Sequence, residues 1–216
     1  EEIQWPDRED QLAFRSGQRF VPRLCKAIVD SAQDPERLRV LLDRPYRLVT
    51  PAPGPIEQLR LTPMERLPPR RGEVEIRVLA TGLNFKDLMA AMGIYPGDPG
   101  ALGGECAGEI VALGEGVGEF ELGQSVVALA PGSFASFVTV PAAFVARKPA
   151  ACTFEEAATM VVAFLTASHA LNRLARVSEG DRVLIHAAAG GVGLAAVQLA
   201  QRAGACVWAT AGSPRK

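Results

Sequence analysis

The alternation of hydrophobic and polar positions along the chain changes its period near Thr153. Before that point, apolar residues alternate with polar ones in short runs, which is the pattern of half-buried strands. Glycines separate these runs, and short strands at such spacing are typical of a small, closed or partly closed β domain. The predicted strands are residues 73–79, 108–113, 124–129 and 134–140, and a short helix is predicted at residues 86–92.

Two features precede this β region. In residues 11–24, QLAFRSGQRFVPRL, apolar and polar residues alternate on both sides of Ser16-Gly17. This pattern predicts a hairpin. Residues 32–45 are charged and contain few aromatics, so we interpret them as a linker.

Beyond Thr153 the longer period predicts helices and buried strands. Thr153 and Glu156 form the T-x-x-E pattern of a capping box, at the head of one long apolar helix that reaches about Leu174. An apolar strand, a Gly-rich turn, a second helix and another apolar strand follow, at residues 183–187, 187–193, 192–203 and 205–210. This order predicts the parallel crossover of a doubly wound Rossmann sheet, and hence an α/β fold class.

Composition excludes several classes of protein. Of the 216 residues 48% are hydrophobic, and 23 Lys and Arg nearly balance 24 Asp and Glu, for a net charge of −1. This composition is too apolar for intrinsic disorder, and it offers no basic excess for nucleic acid. No run approaches the about 18 apolar residues of a membrane-spanning helix, so we expect no membrane segment.

The four cysteines, Cys25, Cys106, Cys152 and Cys206, are scattered and form no CxxC pair. Their spacing disfavours a structural zinc site and predicts small buried thiols in a reducing cytoplasm. The first residue is Glu1 rather than Met, so we expect the chain to be a piece of something longer.

The Gly-rich turn is the motif that carries chemistry. It fits the dinucleotide fingerprint with the first glycine replaced, as Ala188-x-Gly190-x-x-Gly193. A glycine at 190 lets the backbone approach a pyrophosphate, and the free N–H groups at the helix start, including those of Gly191 and Val192, attract phosphate. The alternative is a turn that is rich in glycine for packing alone.

The residues after the second apolar strand predict the type of nucleotide. An NAD site usually has Asp or Glu there, but this chain reads TAGSPRK at residues 210–216. Thr210, Ser213, Arg215 and Lys216 offer hydroxyls and cations, which suit a 2′-phosphate and predict NADPH as the cofactor. The alternative is that Arg215 and Lys216 form a solvated helix start.

Two segments resemble a known family. Residues 80–117, ATGLNFKDLMAAMGIYPGDPGALGGECAGEIVALGEGV, and residues 180–200, GDRVLIHAAAGGVGLAAVQLA, are similar to the enoyl reductase domain of modular and mycobacterial-type polyketide synthases. These domains are zinc-free members of the medium-chain dehydrogenase/reductase superfamily. The likeness covers about residues 46–216, and residues 9–24 are similar to the strip that precedes such a reductase in the megasynthase.

The resemblance implies three parts. Residues 1–47 would be an inter-domain linker with a hairpin, residues 48–150 a GroES-like substrate domain, and residues 151–216 part of an NADP(H)-binding Rossmann domain. The implied reaction transfers a hydride from NADPH to the β-carbon of a trans-2-enoyl thioester on an acyl carrier protein, and a proton to the α-carbon. The implied partners are that carrier protein and neighbouring synthase domains, with a homodimer formed through the parent synthase.

The resemblance also implies site residues. Tyr95 matches the family tyrosine that projects into the active site, where it is a candidate proton donor; the alternative is a loop tyrosine that packs beside Pro96. Thr166 would approach the nicotinamide. Zinc-containing members carry Cys and His near the positions of Asn84 and Gly104, so a metal-free mechanism is expected here.

The other polar candidates are assigned structural roles. Glu105 and Asp87 match residues that hold the β domain together, and His169 and His186 are interpreted as core histidines with satisfied hydrogen bonds. Arg66, Arg70 and Arg71 are interpreted as a solvated loop.

Two other functions remain open. One is a free-standing zinc-free quinone or enone oxidoreductase, and the other is an inactive reductase-like domain that serves as a structural spacer. The family's remaining strands, and the lysine and aspartate proposed in it as proton donors, would follow residue 216.

Overall fold

The computed structural model describes residues 13–15, 18–20, 44–51, 54 and 56–213. The predicted hairpin is confirmed, because strands β1 (Ala13–Arg15) and β2 (Gln18–Phe20) pair antiparallel with Arg15 opposite Gln18. These strands belong to the first of two units, which divide after Pro35.

The second unit begins with an antiparallel pair of strands and continues with a five-stranded antiparallel sheet. The bounds are β3 Tyr46–Val49, β4 Arg60–Pro63, β5 Glu73–Thr81, α1 Phe85–Ala91, β6 Glu105–Leu113, β7 Ser125–Leu129, β8 Phe137–Pro141 and β9 Val145–Arg147, with 3₁₀ turns at Ile56–Gln58 and Ala142–Phe144. Strands β3 and β4 form the pair, and the sheet has the order β8-β5-β6-β7-β9. Strand β5 continues to Thr81, and β6 starts at Glu105, both beyond the predicted limits, because Thr81 and Cys106 still pair.

The core of this sheet is built from the apolar positions of the predicted strands. Val74, Ile76, Cys106 and Val126 are fully inaccessible to solvent, and Ile110 is nearly so. Burying each such aliphatic side chain contributes roughly 1.5–3 kcal/mol, so the alternation seen in the sequence accounts for the formation of this layer.

The predicted β-turn-α-β unit is also confirmed. Strands β10 (Arg182–Ile185) and β11 (Cys206–Ala209) pair in parallel, with Leu184 opposite Trp208, and helix α4 (Gly191–Arg202) connects them. Small side chains bury the helix against the strands, among them Ala195, Ala196 and Ala200. Within the described residues every helix is too short or too polar to cross a membrane.

The single long helix predicted from Thr153 to Leu174 is wrong. The structure divides it into α2 (Phe154–Ala158), α3 (Val161–Ser168) and a π-helical turn (His169–Leu174). The capping box is confirmed, because Glu156 N–H donates to Thr153 Oγ1 at 3.1 Å and Thr153 N–H donates to Glu156 Oε2 at 2.8 Å.

The break between α2 and α3 has an identifiable cause. In a continuous helix Val162 N–H would donate to the carbonyl of Ala158, four residues earlier. Here it donates at 2.8 Å to Oε2 of Glu105, a carboxylate from strand β6. A side chain that enters the hydrogen-bond ladder in this way interrupts a helix.

Candidate active site

The Gly-rich turn lies between β10 and α4. Ala187 has a positive φ of 51°, and Ala188 N–H donates to the Thr210 carbonyl at 2.9 Å, which ties the turn to the end of β11. Gly190 is the N-cap of α4, and the helix begins at Gly191. The first N–H groups of a helix have no intrahelical acceptor, so this end of α4 can receive an anion.

The three glycines of the turn have different roles. A Cβ at Gly193 would clash with Ala187 O and lie 2.6 Å from Ala188 Cα, so packing alone demands glycine there. At Gly190 a Cβ would meet only Ala187 O, at 3.3 Å, and at Gly191 nothing within 4 Å. Gly190 has φ −84° and ψ 167°, which other residues also adopt. Packing therefore demands glycine at 193, makes any larger residue at 190 tight against the Ala187 backbone, and gives no reason for glycine at 191.

The residues predicted to bind the cofactor are only partly brought together. Ala188, Val192 and Thr210 lie at the turn or beside it, and the Val192 side chain is exposed. Ser213 is exposed three residues after Thr210, whereas Arg215 and Lys216 lie outside the described residues. Thr166 is exposed on α3. The binding roles of all these residues stay predictions.

His186 and His169 are not core histidines, contrary to the sequence interpretation, because both are exposed. His186 follows β10 directly, and its Nδ1 lies 3.1 Å from Thr210 Oγ1. The parallel pairing of β10 and β11 places the two side chains together at the carboxyl edge of the sheet. Sequence reasoning missed this pair because it treated an isolated histidine in an apolar run as buried.

Tyr95 is half-buried in the loop after α1. Its N–H donates to the Met89 carbonyl at 3.2 Å, and the ammonium of Lys86 lies 5.5 Å from the centre of its ring. The ring is therefore close enough to Lys86 for a cation–π interaction. Its role as a proton donor stays a prediction.

Glu105 and Asp87 are buried and hold the β domain together, as expected. Asn84 Nδ2 donates to Glu105 Oε1 at 2.8 Å. The two Asp87 oxygens accept from the backbone N–H groups of Asn84 and Gly103, each at 2.9 Å. The carboxylates thus serve as acceptors for the loop ahead of α1, for the loop ahead of β6 and for α3.

Asn84 and Gly104, near which the resemblance implies zinc ligands in other superfamily members, are adjacent here. A Cβ at Gly104 would lie 3.9 Å from Asn84 Nδ2. Across the described part of the chain, no three His, Cys, Asp or Glu side chains gather into a group that could hold a metal ion. The metal-free mechanism stays a prediction.

The cysteines differ in exposure. Cys106 is fully buried, and burial, with a contribution from the neighbouring Glu105 carboxylate, raises the pKa of its thiol to about 12. Cys152 is half-buried, and Cys25 lies outside the described residues. Cys206 is exposed, so the expectation of a buried thiol is wrong there.

Arg66 does not belong to a merely solvated loop. Its Nε and Nη2 donate to the two oxygens of Glu75 at 2.9 and 2.7 Å, and its guanidinium carbon lies 4.0 Å from the centre of the Phe137 ring. The hydrogen bond to Glu75 raises the pKa of Arg66, while partial burial opposes this. Arg71 is exposed, as predicted.

Comparison of the sequence with known proteins relates this chain to a family. Residues 70–150 match the model of the alcohol dehydrogenase GroES-like domain. A phenolphthiocerol/phthiocerol polyketide synthase of Mycobacterium tuberculosis is 42% identical over 229 aligned positions, which cover all of this chain and 10% of that protein. The pikromycin polyketide synthase component PikAII of Streptomyces venezuelae is also 42% identical, over 94% of this chain and 6% of that protein.

The chain is also similar to solved structures of reductases. The CurK enoyl reductase superposes with a TM-score of 0.76 and 44% identity over 81% of this chain. A quinone oxidoreductase of Pseudomonas syringae pv. tomato has a TM-score of 0.70 and 34% identity over 79% of this chain. The chain spans a little more than half of each of these two structures, 56% and 54%, and about a tenth or less of the two synthases.

Proposed function

Because this chain belongs to the enoyl reductase domains of polyketide synthases, we propose that it takes part in the NADPH-dependent reduction of a trans-2-enoyl thioester to the saturated thioester. The substrate would be carried on an acyl carrier protein. The related chains are polyketide synthases, so neighbouring synthase domains are the other proposed partners, with dimerisation through the parent synthase. A reducing cytoplasm is the proposed location, because Cys106, Cys152 and Cys206 are all free thiols.

The observation that carries this proposal is a glycine that packing does not require, at the first position of α4. A Cβ at Gly191 would meet no atom within 4 Å, so this end of the helix is open in front of its first N–H groups. Those N–H groups and the positive end of the helix dipole would hold the pyrophosphate of the cofactor. When bound, NADPH would supply the hydride for the β-carbon.

The preference for NADPH over NADH rests on the residues that follow β11. Thr210 and Ser213 supply hydroxyls, and the sequence adds two cations at Arg215 and Lys216 where an NAD site usually has a carboxylate. Charge-assisted hydrogen bonds from these groups would favour a 2′-phosphate.

Tyr95 is proposed as the donor of the second hydrogen. After the hydride reaches the β-carbon, the electron pair of the C=C bond lies on the α-carbon and the thioester oxygen as an enolate. The Tyr95 O–H bond would break and its proton would bond to the α-carbon, leaving a phenolate that water reprotonates. The Lys86 ammonium, 5.5 Å from the ring, would stabilise that phenolate.

The experiment combines cofactor binding and turnover in the full natural polypeptide. Gly190→Val and Gly191→Val would place a branched side chain where the pyrophosphate is proposed to bind. Both should weaken NADPH binding at least about tenfold, as measured by the fluorescence of the bound nicotinamide, and Gly191→Val should do so with little change in melting temperature because a Cβ there meets no atom within 4 Å. Unchanged binding in both variants would contradict the proposed site.

Turnover separates the proposed reaction from its alternatives. NADPH oxidation with a crotonyl or 2-methylcrotonyl thioester is expected, and NADH should be the poorer donor. Faster oxidation with a quinone would favour a quinone oxidoreductase, which similarity to a solved quinone oxidoreductase keeps as the second candidate. Binding without turnover of either substrate would favour an inactive reductase-like domain.

A further inference from the structure

One buried carboxylate joins two parts of the chain that are far apart in sequence. Glu105 is 3% exposed at the start of β6. Its Oε1 accepts from Asn84 Nδ2 and its Oε2 accepts from Val162 N–H, both at 2.8 Å. We call these three residues, Asn84, Glu105 and Val162, the Glu105 junction.

The backbone on the β-domain side of the junction is firmly held. Thr81 Oγ1 and Ser133 Oγ both donate to the Glu105 carbonyl, at 2.8 and 2.9 Å. Asp87 ties the backbone of Asn84 to that of Gly103. The carboxylate therefore projects from a fixed strand end and meets a fixed loop.

Space around the carboxylate is also closed. A Cβ at Gly82 would lie 2.5 Å from Glu105 Oε1 and 2.6 Å from the carbonyl oxygen of Ala158, the last residue of α2. The Glu105 side chain thus occupies the break between α2 and α3, and there is no room for it to move toward Gly82. The start of α3 is defined by this carboxylate rather than by α2.

The elements that meet at the junction carry the residues of the proposed reaction. Helix α3 carries Thr166, one turn after Val162. The loop at Asn84 leads into α1, and the Tyr95 backbone is bonded to that helix at Met89. Through these contacts the junction connects α3, which carries Thr166, to the loop that carries Tyr95.

We propose that Glu105 is a positioning residue for the reduction: its carboxylate sets the start of α3 relative to the Asn84 loop, and so sets Thr166 relative to Tyr95. This rests on the proposed function for its catalytic consequence, but the junction itself can be measured without activity. A displacement of about 1 Å in such an arrangement can cost on the order of 10²-fold in rate.

The test exchanges the chemical groups of the junction. Asn84→Asp replaces the amide donor by a carboxylate. At a pH at which both carboxyl groups are ionised, two anions face each other, and this repulsion should open the junction; all variants are therefore compared at such a pH. In the double variant Asn84→Asp/Glu105→Gln, the new amide can donate to the new carboxylate at position 84 while its carbonyl accepts from Val162 N–H. Glu105→Gln alone should be tolerated, because the Asn84 amide can turn over and accept. Glu109→Gln is the matched control, since Glu109 lies on the same strand and pairs with Arg77 at the surface.

Two measurements are made on the full natural polypeptide. Amide hydrogen exchange of residues 160–168 should speed up at least about tenfold in Asn84→Asp and return near the original rate in the double variant. In the same variants kcat with the enoyl thioester should fall about 10- to 100-fold and then recover, while the KM for NADPH changes less than about threefold. Glu109→Gln should change neither quantity.

Each outcome has a definite meaning. Unchanged exchange in Asn84→Asp, or a double variant as impaired as the single one, would overturn the assignment of Glu105. Faster exchange with unchanged kcat in an active enzyme would overturn its positioning role. If Asn84→Asp does not fold, Asn84→Ala takes its place, because it removes one hydrogen bond without adding charge. A change in the KM for NADPH without a change in kcat would count against the positioning role. If the unaltered protein shows no enoyl reduction, the proposed function fails while hydrogen exchange still decides whether the junction holds α3.

Discussion

At the scale of single residues, Glu75 is a buried carboxylate whose burial depends on a charged partner. It is 4% exposed in β5, and Arg66 bonds both of its oxygens. Arg66→Met should lower the free energy of unfolding by about 1–3 kcal/mol, because the buried carboxylate loses its charged partner. Urea denaturation measures this, with the exposed Arg71→Met as the control. Equal stability of the two variants would mean that the ion pair contributes little.

Cys106 gives a prediction about alkaline pH. The pKa of its thiol is raised to about 12 in the folded state, whereas an unfolded thiol has a pKa of about 8.5. Above the unfolded value the native state binds the extra proton, so stability should fall as pH rises from about 8.5 toward 12. Cys106→Ala should flatten this part of the pH profile of unfolding. In the native protein at pH 8, a thiol reagent should leave the buried Cys106 unmodified.

At the scale of elements, the close contact of α4 with the end of β10 depends on one glycine. Gly193→Ala would place its Cβ 2.6 Å from Ala188 Cα, so the helix must shift away from the turn. Such overpacking typically costs about 1–3 kcal/mol. Gly191→Ala meets no atom within 4 Å and should leave the melting temperature nearly unchanged or slightly higher. Similar melting temperatures for the two variants would contradict this account of the turn.

The elements also show how far the sequence determines the fold. The hairpin, the antiparallel strands and the parallel crossover follow from local patterns of apolar residues, glycines and caps, and the structure contains them. The break between α2 and α3 was not predictable in this way. It depends on a hydrogen bond from Val162 to Glu105, 57 positions earlier, and no local pattern encodes such a contact.

The candidate site likewise contains residues that the local sequence predicts and residues whose surroundings depend on contacts distant in sequence. The glycines of the turn before α4 were predictable because strand, turn and helix are contiguous in sequence. The proximity of His186 to Thr210 depends on the register of two parallel strands, and the burial of Glu75 depends on Arg66. A strand pattern taken alone treats Glu75 as a solvent-facing position between two core residues, Val74 and Ile76.

At the scale of the whole molecule, the proposed reaction uses two separate parts of the chain. The hydride would come from a cofactor held at the α4 turn, whereas the proton would come from Tyr95 in the loop after α1. If these roles are separate, Tyr95→Val should change protonation without changing hydride delivery. The rate should then fall only moderately, because water or another acid can replace the phenol, and a positioned acid contributes about 10²–10⁴-fold only when nothing replaces it.

The product of a 2-methyl enoyl thioester reports on this separation. With the full natural polypeptide and deuterated NADPH, the label should enter the β-carbon in Tyr95→Val as it does in the unaltered protein. The configuration at the α-carbon should change, wholly or in part, because the proton no longer comes from one fixed side. Tyr95→Phe is the matched control, since it removes the O–H group but retains the ring beside Lys86. An unchanged configuration and rate in both variants would assign Tyr95 to packing of the loop, whereas an altered configuration only in Tyr95→Val would mean that the ring, rather than its proton, selects the face.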